Sequence, residues 1–123
     1  MSTKIFTDAF FNQFHEFLGQ LITVFPADAD FPAYKTGLAL LRRVNPSMVI
    51  SEFKAHVFPY DEIIRARNTD FFMNHTFEDV VSSDMSMDSI IRKLKDLWAT
   101  LSVKSRDAIW THIILLLDIA KRC

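Results

Sequence analysis

Residues 7–26 read TDAFFNQFHEFLGQLITVFP, and their hydrophobic spacing decides the fold class. Phe10, Phe14, Phe17, Leu21 and Val24 recur at the intervals of one helical face. Phe11, Leu18, Ile22 and Phe25 form a second stripe beside it, leaving a narrow polar strip at Asn12, Glu16 and Gln20. Thr7, followed by Asp8, is the expected N-cap, and Pro26 the expected stop, because the residue before a proline is pushed out of the α region. A helix this broadly apolar is either central to its fold or partly covered by a partner.

The same period continues down the chain. Residues 27–30 are a short acidic linker, with Asp30 the expected cap of a second helix and Pro32 tolerated in its first turn. Tyr34, Leu38 and Leu41, joined by Leu40 and Val44, give that helix its apolar face. Asn45-Pro46 opens a third, asparagine capping and proline at the first helical position, and Val49, Ile50, Phe53 and Val57 are its buried side. Phe58-Pro59 stops or kinks it, and Tyr60, Ile63 and Ile64 resume a short helix. Over 68–88 the pattern weakens: Phe71, Phe72 and Phe77 anchor one helical turn in an otherwise irregular acidic segment. A fifth helix over 87–101 carries Ile90, Ile91, Leu94, Leu97, Trp98 and Leu101. Residues 102–105 are a turn and cap, and a last helix follows with Ile109, Ile113, Leu116, Leu117 and Ala120, flanked by Trp110 and Ile114. The expectation is an all-α single domain over 1–123, a compact bundle or orthogonal array of about five main helices with short connections.

Composition agrees. A chain of 123 residues has no room for a second core. Half its residues are hydrophobic and its mean hydropathy is +0.12, which excludes a disordered polypeptide. Two glycines and four prolines are too few for a sandwich or barrel with a turn at every hairpin. The net charge of −1 provides no overall field to steer the chain toward nucleic acid or membrane. Charge is nevertheless segmented, basic over 35–67 and 89–123 and acidic over 1–34 and 68–88. Glu78, Asp79, Asp84 and Asp88 read as a solvated loop or as a docking loop for a basic partner. The most apolar window, 108–120, contains Thr111, His112 and Asp118 and is shorter than the ~18 residues a membrane span requires. No leader pattern is present, and the single cysteine, Cys123, allows no intramolecular disulfide. A soluble intracellular protein, cytoplasmic or nuclear, is expected, with no membrane partner.

Chemical equipment is sparse. Glu52 and His56 share a helix face, but a dinuclear bundle site needs Glu-x-x-His on two helices, and none occurs. There is no Gly-x-Ser-x-Gly elbow, no phosphate-cradling glycine cluster and no calcium-loop ladder around Asp84 and Asp88. His15 and His112 lie in apolar helices, where a histidine that borders a core and finds a hydrogen-bond partner is the expected role. No catalytic, cofactor-binding or metal-binding residue is therefore assigned, and the chain reads as a non-catalytic protein.

Two binding readings remain. Twelve Phe, two Trp and two Tyr are hard to hide in a small domain, so some should stay exposed and mark an interface. The first and last helices have the widest apolar faces, which makes Phe11, Leu18, Ile22, Phe25, Trp110, Ile114 and Leu117 the candidate contact residues, with self-association into a homodimer the leading form. The alternative is a nucleic-acid-associated factor in which Arg42, Arg43, Arg65, Arg67, Arg92, Lys93 and Lys95 converge on phosphates.

Phe25-Pro26, Asp30-Phe31-x-x-Tyr34, Asn45-Pro46, Phe58-Pro59-Tyr60, Asp70-Phe71-Phe72 and Ile109-Trp110 form a string of landmarks. Over roughly residues 10–121 this string resembles a group of small uncharacterised proteins of large DNA viruses of algae and protists. The resemblance carries over no functional residue. It implies an intracellular viral protein, in the host cell or the virion, acting as a virion or assembly component.

Overall fold

The computed structural model describes residues 3–74 and 87–123, and every regular element among them is helical. The long helices are α1 (Thr3–Val24), α2 (Asp30–Val44), α3 (Pro46–Val57), α6 (Met87–Leu97) and α7 (Val103–Ala120). Two short ones, α4 (Asp61–Arg65) and α5 (Thr69–Asn74), stand between α3 and α6. The expected all-α architecture is the observed one. Most of the acidic stretch, including Phe77, Glu78, Asp79 and Asp84, lies outside the described residues, as does the side chain of Asp88.

Local chemistry sets most boundaries. Asn45 serves two helices at once. Its backbone N–H closes α2 by donating to the Leu41 carbonyl at 2.7 Å, and its Oδ1 accepts the Met48 N–H at 3.3 Å to open α3. With the proline following, α3 starts where its sequence dictates and buries Val49, Ile50, Phe53 and Val57. Asn45→Ala is expected to cost ~1 kcal/mol in urea denaturation, since it orphans a helix donor, whereas Asn45→Gly should cost only a few tenths.

Three boundaries differ from expectation. Thr7 is not a cap: α1 begins at Thr3 and places Thr7 inside the helix, with a Lys4–Asp8 ion pair (3.0 Å) bracing that turn. Asp30 is not the cap of α2 either. It is the first helical residue, and its N–H donates to Asp28 Oδ1 at 2.9 Å, so the aspartate two residues earlier does the work. The fifth helix stops at Leu97 rather than at 101. A tight 3-10 turn over Trp98–Thr100 follows, in which Thr100 Oγ1 donates to the Leu97 carbonyl at 2.6 Å and Arg106 Nε to the Trp98 carbonyl at 3.1 Å. Phe58–Tyr60 form a similar 3-10 turn, so Pro59 separates α3 from α4 instead of bending one helix.

Packing is antiparallel around α1. Along α2, Asp8 and Asn12 meet Arg42 at one end and Phe25 stacks on Phe31 at the other. Along α7, Arg122 lies over the Phe6 ring and Gln13 meets His112. Of the two explanations for the broad apolar surface of α1, the fold realises the central one, with α2 and α7 covering it. A single buried cluster draws on α1, α2, α3, α4, α6 and α7. Phe10 sits at its middle, edge-on to Phe11, Phe14 and Phe53 at 5.1–5.8 Å between centroids. A second group, Phe72, Trp98 and Trp110, meets edge-on at 5.1–6.0 Å and ties α5 to α7.

Candidate protein-binding surface

The aromatic surplus goes inward. Every Phe, Tyr and Trp among the described residues is buried or half-buried, so the expectation of exposed rings is not met there. The candidate contact residues divide accordingly. Phe11, Leu18, Trp110 and Leu117 belong to the core of the folded chain and present nothing to a partner. Ile22, Phe25 and Ile114 are half-buried against its margin. The physical reason is that α1 and α7 cover each other's apolar faces.

What remains outside is aliphatic. Leu40 and Val44, read from sequence as part of the inner face of α2, are 58 % and 71 % exposed, and Met48 in the first turn of α3 is 38 % exposed. The inner side of α2 is set by Phe31 and Leu38, with Tyr34 and Leu41 partly covered. Leu40 and Val44, one turn apart, lie on the opposite side. Ile5, 69 % exposed, stands one turn before Asp8, which holds Arg42 at 3.3 Å, and so belongs to the same end of the molecule. Leu115 and Val103 are exposed singly on α7, as isolated apolar residues ordinarily are.

The charges beside this patch are as informative. Arg43 precedes Val44, and Glu52 follows Met48 by one turn of α3. Neither makes a hydrogen bond or ion pair to the described residues. Leu40, Val44 and Met48 thus leave apolar surface outside around the α2–α3 junction, with one unmatched cation and one unmatched anion on the same two helices.

Most of the residues in the basic clusters already have carboxylate partners within the fold. Arg42 bonds Asp8 and Asn12 and lies over the Phe11 ring at 5.5 Å. Arg65 bridges Asp61 (2.7 Å) and Asp118 (2.6 Å), with Lys121 completing that network on Asp61 at 3.0 Å. Arg67, at a left-handed φ of 53°, reaches the carboxylate and carbonyl of Asp107 and Thr111 Oγ1. Lys93 is clasped by Asp28 (2.8 Å) and Asp30 (2.9 Å). These contacts hold the Asp28 and Asp61 carboxyls below the ordinary carboxylate range and raise the proton affinity of Lys93 and Arg65. Lys95 is also engaged. Arg43 and Arg92 are the members of the set without such partners among the described residues. The carboxylates that engage them come from different elements: Arg42 is held from α1, Arg65 and Arg67 from α7, and Lys93 from the junction of α1 with α2.

Histidines and carboxylates form no centre. Among the described residues no three His, Cys, Asp or Glu side chains are grouped so as to hold a metal ion. His15 is exposed, whereas His112 takes the core-border role: the Gln13 amide N–H donates to its Nδ1 at 2.8 Å, and its ring stacks on Phe17 at 5.4 Å. Burial lowers the proton affinity of His112. The unfolded imidazole titrates near ~6.5, so below that pH the unfolded chain binds the extra proton first. Stability is therefore expected to fall as pH drops from about 7.5 to about 5.5, a range in which carboxylates stay ionised. Urea denaturation at several pH values checks this, and His112→Gln should flatten the slope.

No helix among the described residues is long and apolar enough to cross a membrane. No family model, curated protein or solved structure matches this chain, so its surfaces have to be read from their own chemistry.

Proposed function

We propose that this chain is a non-catalytic helical binding module that associates with a second copy of itself through the patch of Leu40, Val44 and Met48. The observation that carries the reading is the exposure of Leu40, Val44 and Met48 on either side of the α2–α3 junction, with Arg43 and Glu52 left unmatched on the same two helices. In a twofold dimer the same surface meets itself, so Arg43 of one copy faces Glu52 of the other while the aliphatics leave water. Burying apolar surface supplies the attraction, at ~25 cal/mol per Å². The charges supply register and orientation. A phosphate-binding role would require Arg42, Arg65, Arg67 and Lys93 to leave carboxylates that already neutralise them. The viral resemblance extends the proposal to a virion or assembly component, a part that rests on the sequence landmarks alone.

Light scattering over a range of protein concentration tests the reading. The expected result is a mass approaching twice 14.3 kDa as concentration rises, with a modest weakening at high salt as the Arg43–Glu52 pairs are screened. A mass that stays monomeric at millimolar concentration contradicts it.

A further inference from the structure

One feature of the core has no part in self-association. A cavity of about 80 Å³ lies among α1, α3, α4, α5, α6 and α7, with Phe14, Phe53, Val57, Ile63, Ile113 and Leu116 in its wall. That wall is carbon. His56 and Tyr60 border the space, yet essentially no polar atom faces it. Protein interiors are packed as densely as organic crystals, and voids wider than a water molecule are few. At ~30 Å³ per liquid water, this one has the volume of roughly two or three waters, but a buried water needs about three hydrogen-bond partners. The wall offers none, so water is a poor occupant.

A guest without hydrogen-bonding groups meets no such cost. It gives up no hydrogen bond on leaving water, and it gains dispersion contacts with every side chain around it. Size narrows the class further. A carbon-lined cavity of about 150 Å³ holds benzene or xenon, and half that volume suits a single large atom or about three carbons. Ile63, Phe71 and Ile91 in the wall are half-buried, so the cavity approaches solvent on the side of α4, α5 and α6, where a guest can enter. We propose that this cavity is a binding site for small, wholly apolar molecules of about three carbons or fewer. A hydrogen-bonding group on the guest works against entry, because its partner water is lost and nothing in the wall replaces it.

Xenon is the probe, followed by methyl NMR of the unaltered full chain under rising gas pressure. The expected result is saturable shifts at the Val57, Ile63 and Ile113 methyls, with Leu18, Leu40 and Val44 unmoved. Since xenon is held by the folded chain alone, the midpoint of thermal unfolding should rise with its pressure. Cyclopropane should displace xenon, whereas acetonitrile, with as many non-hydrogen atoms but a hydrogen-bond acceptor, should bind at least about tenfold more weakly. Ile113→Phe should weaken xenon binding at least about tenfold by filling the space. Shifts that grow linearly without saturating, shifts at Leu40 and Val44 in place of the lining methyls, or acetonitrile binding as well as cyclopropane overturns the proposal. Should Ile113→Phe fail to fold, the comparison of cyclopropane with acetonitrile on the unaltered chain decides.

Discussion

Phe10→Ala is expected to lower the free energy of unfolding by ~3–5 kcal/mol, the range for removing a large aromatic from a packed core. Phe10 is 0 % exposed and holds edge-to-face contacts with Phe11 and Phe14 on its own helix and with Phe53 on α3. Truncation removes the transfer free energy of the ring. It also leaves a hole that three surrounding aromatics, held in place by one another, cannot close, and it forfeits ring pairings worth ~0.5–1.5 kcal/mol each. Small domains are stable by only ~5–15 kcal/mol in total, so this single change should bring the protein close to its folding limit at physiological temperature. Urea denaturation measures it. Phe25→Ala provides the internal comparison: its ring is half-buried and stacks only on Phe31 at 5.8 Å among the ring contacts described, so it should cost clearly less. Equal losses at the two positions would mean that the core is not centred on α1.

The second large effect is on association and should leave the fold alone. Leu40→Lys combined with Val44→Lys is expected to weaken self-association by about 100-fold, because two apolar side chains that leave water in the dimer become charges that resist leaving it. Lysine is the replacement of choice because both positions lie toward the C-terminal end of α2, where a cation is favoured by the helix dipole. Both side chains are exposed in the monomer, so its stability should change by no more than ~0.5 kcal/mol. The electrostatic half of the interface is tested separately. Arg43→Glu and Glu52→Arg should each weaken association by placing like charges across the twofold axis, and the double variant should recover much of the loss. Sedimentation equilibrium reads all four proteins. Unchanged association in the lysine variant would remove the patch from the account.

How much of this was legible in the sequence depends on how local each feature is. Helix α3 was readable almost to the residue, because Asn45, Pro46 and the spacing of Val49, Ile50, Phe53 and Val57 are decided within a dozen positions. The breadth of the apolar surface of α1 left two readings open, a central helix or one covered by a partner, and only the packing of α2 and α7 against it decides for the first. For α2 the period was right but its width was not: Leu40 and Val44 share the helical rhythm of Leu38 and Leu41, and only the placement of α1 decides which side is covered. The aromatic stripes of α1 and α7 were read as surfaces for the same reason, since two apolar faces that bury each other look in sequence like two faces awaiting partners. The basic clusters show the largest gap. Lys93 meets Asp28 and Asp30 more than sixty positions away, and Arg65 meets Asp118 more than fifty away. Runs of like charge therefore resembled a binding surface until folding brought in their carboxylates.

The central claim is that a second copy of this chain sits on the Leu40–Val44–Met48 patch. Isotope-filtered NOE spectroscopy on a sample mixed from labelled and unlabelled protein tests it most directly, since only contacts between copies give signal. The account predicts cross-peaks between copies at the methyls of Leu40, Val44 and Met48, and none at the enclosed Leu18 and Leu117. Cross-peaks between copies at other methyls, with the three patch residues silent, would contradict it.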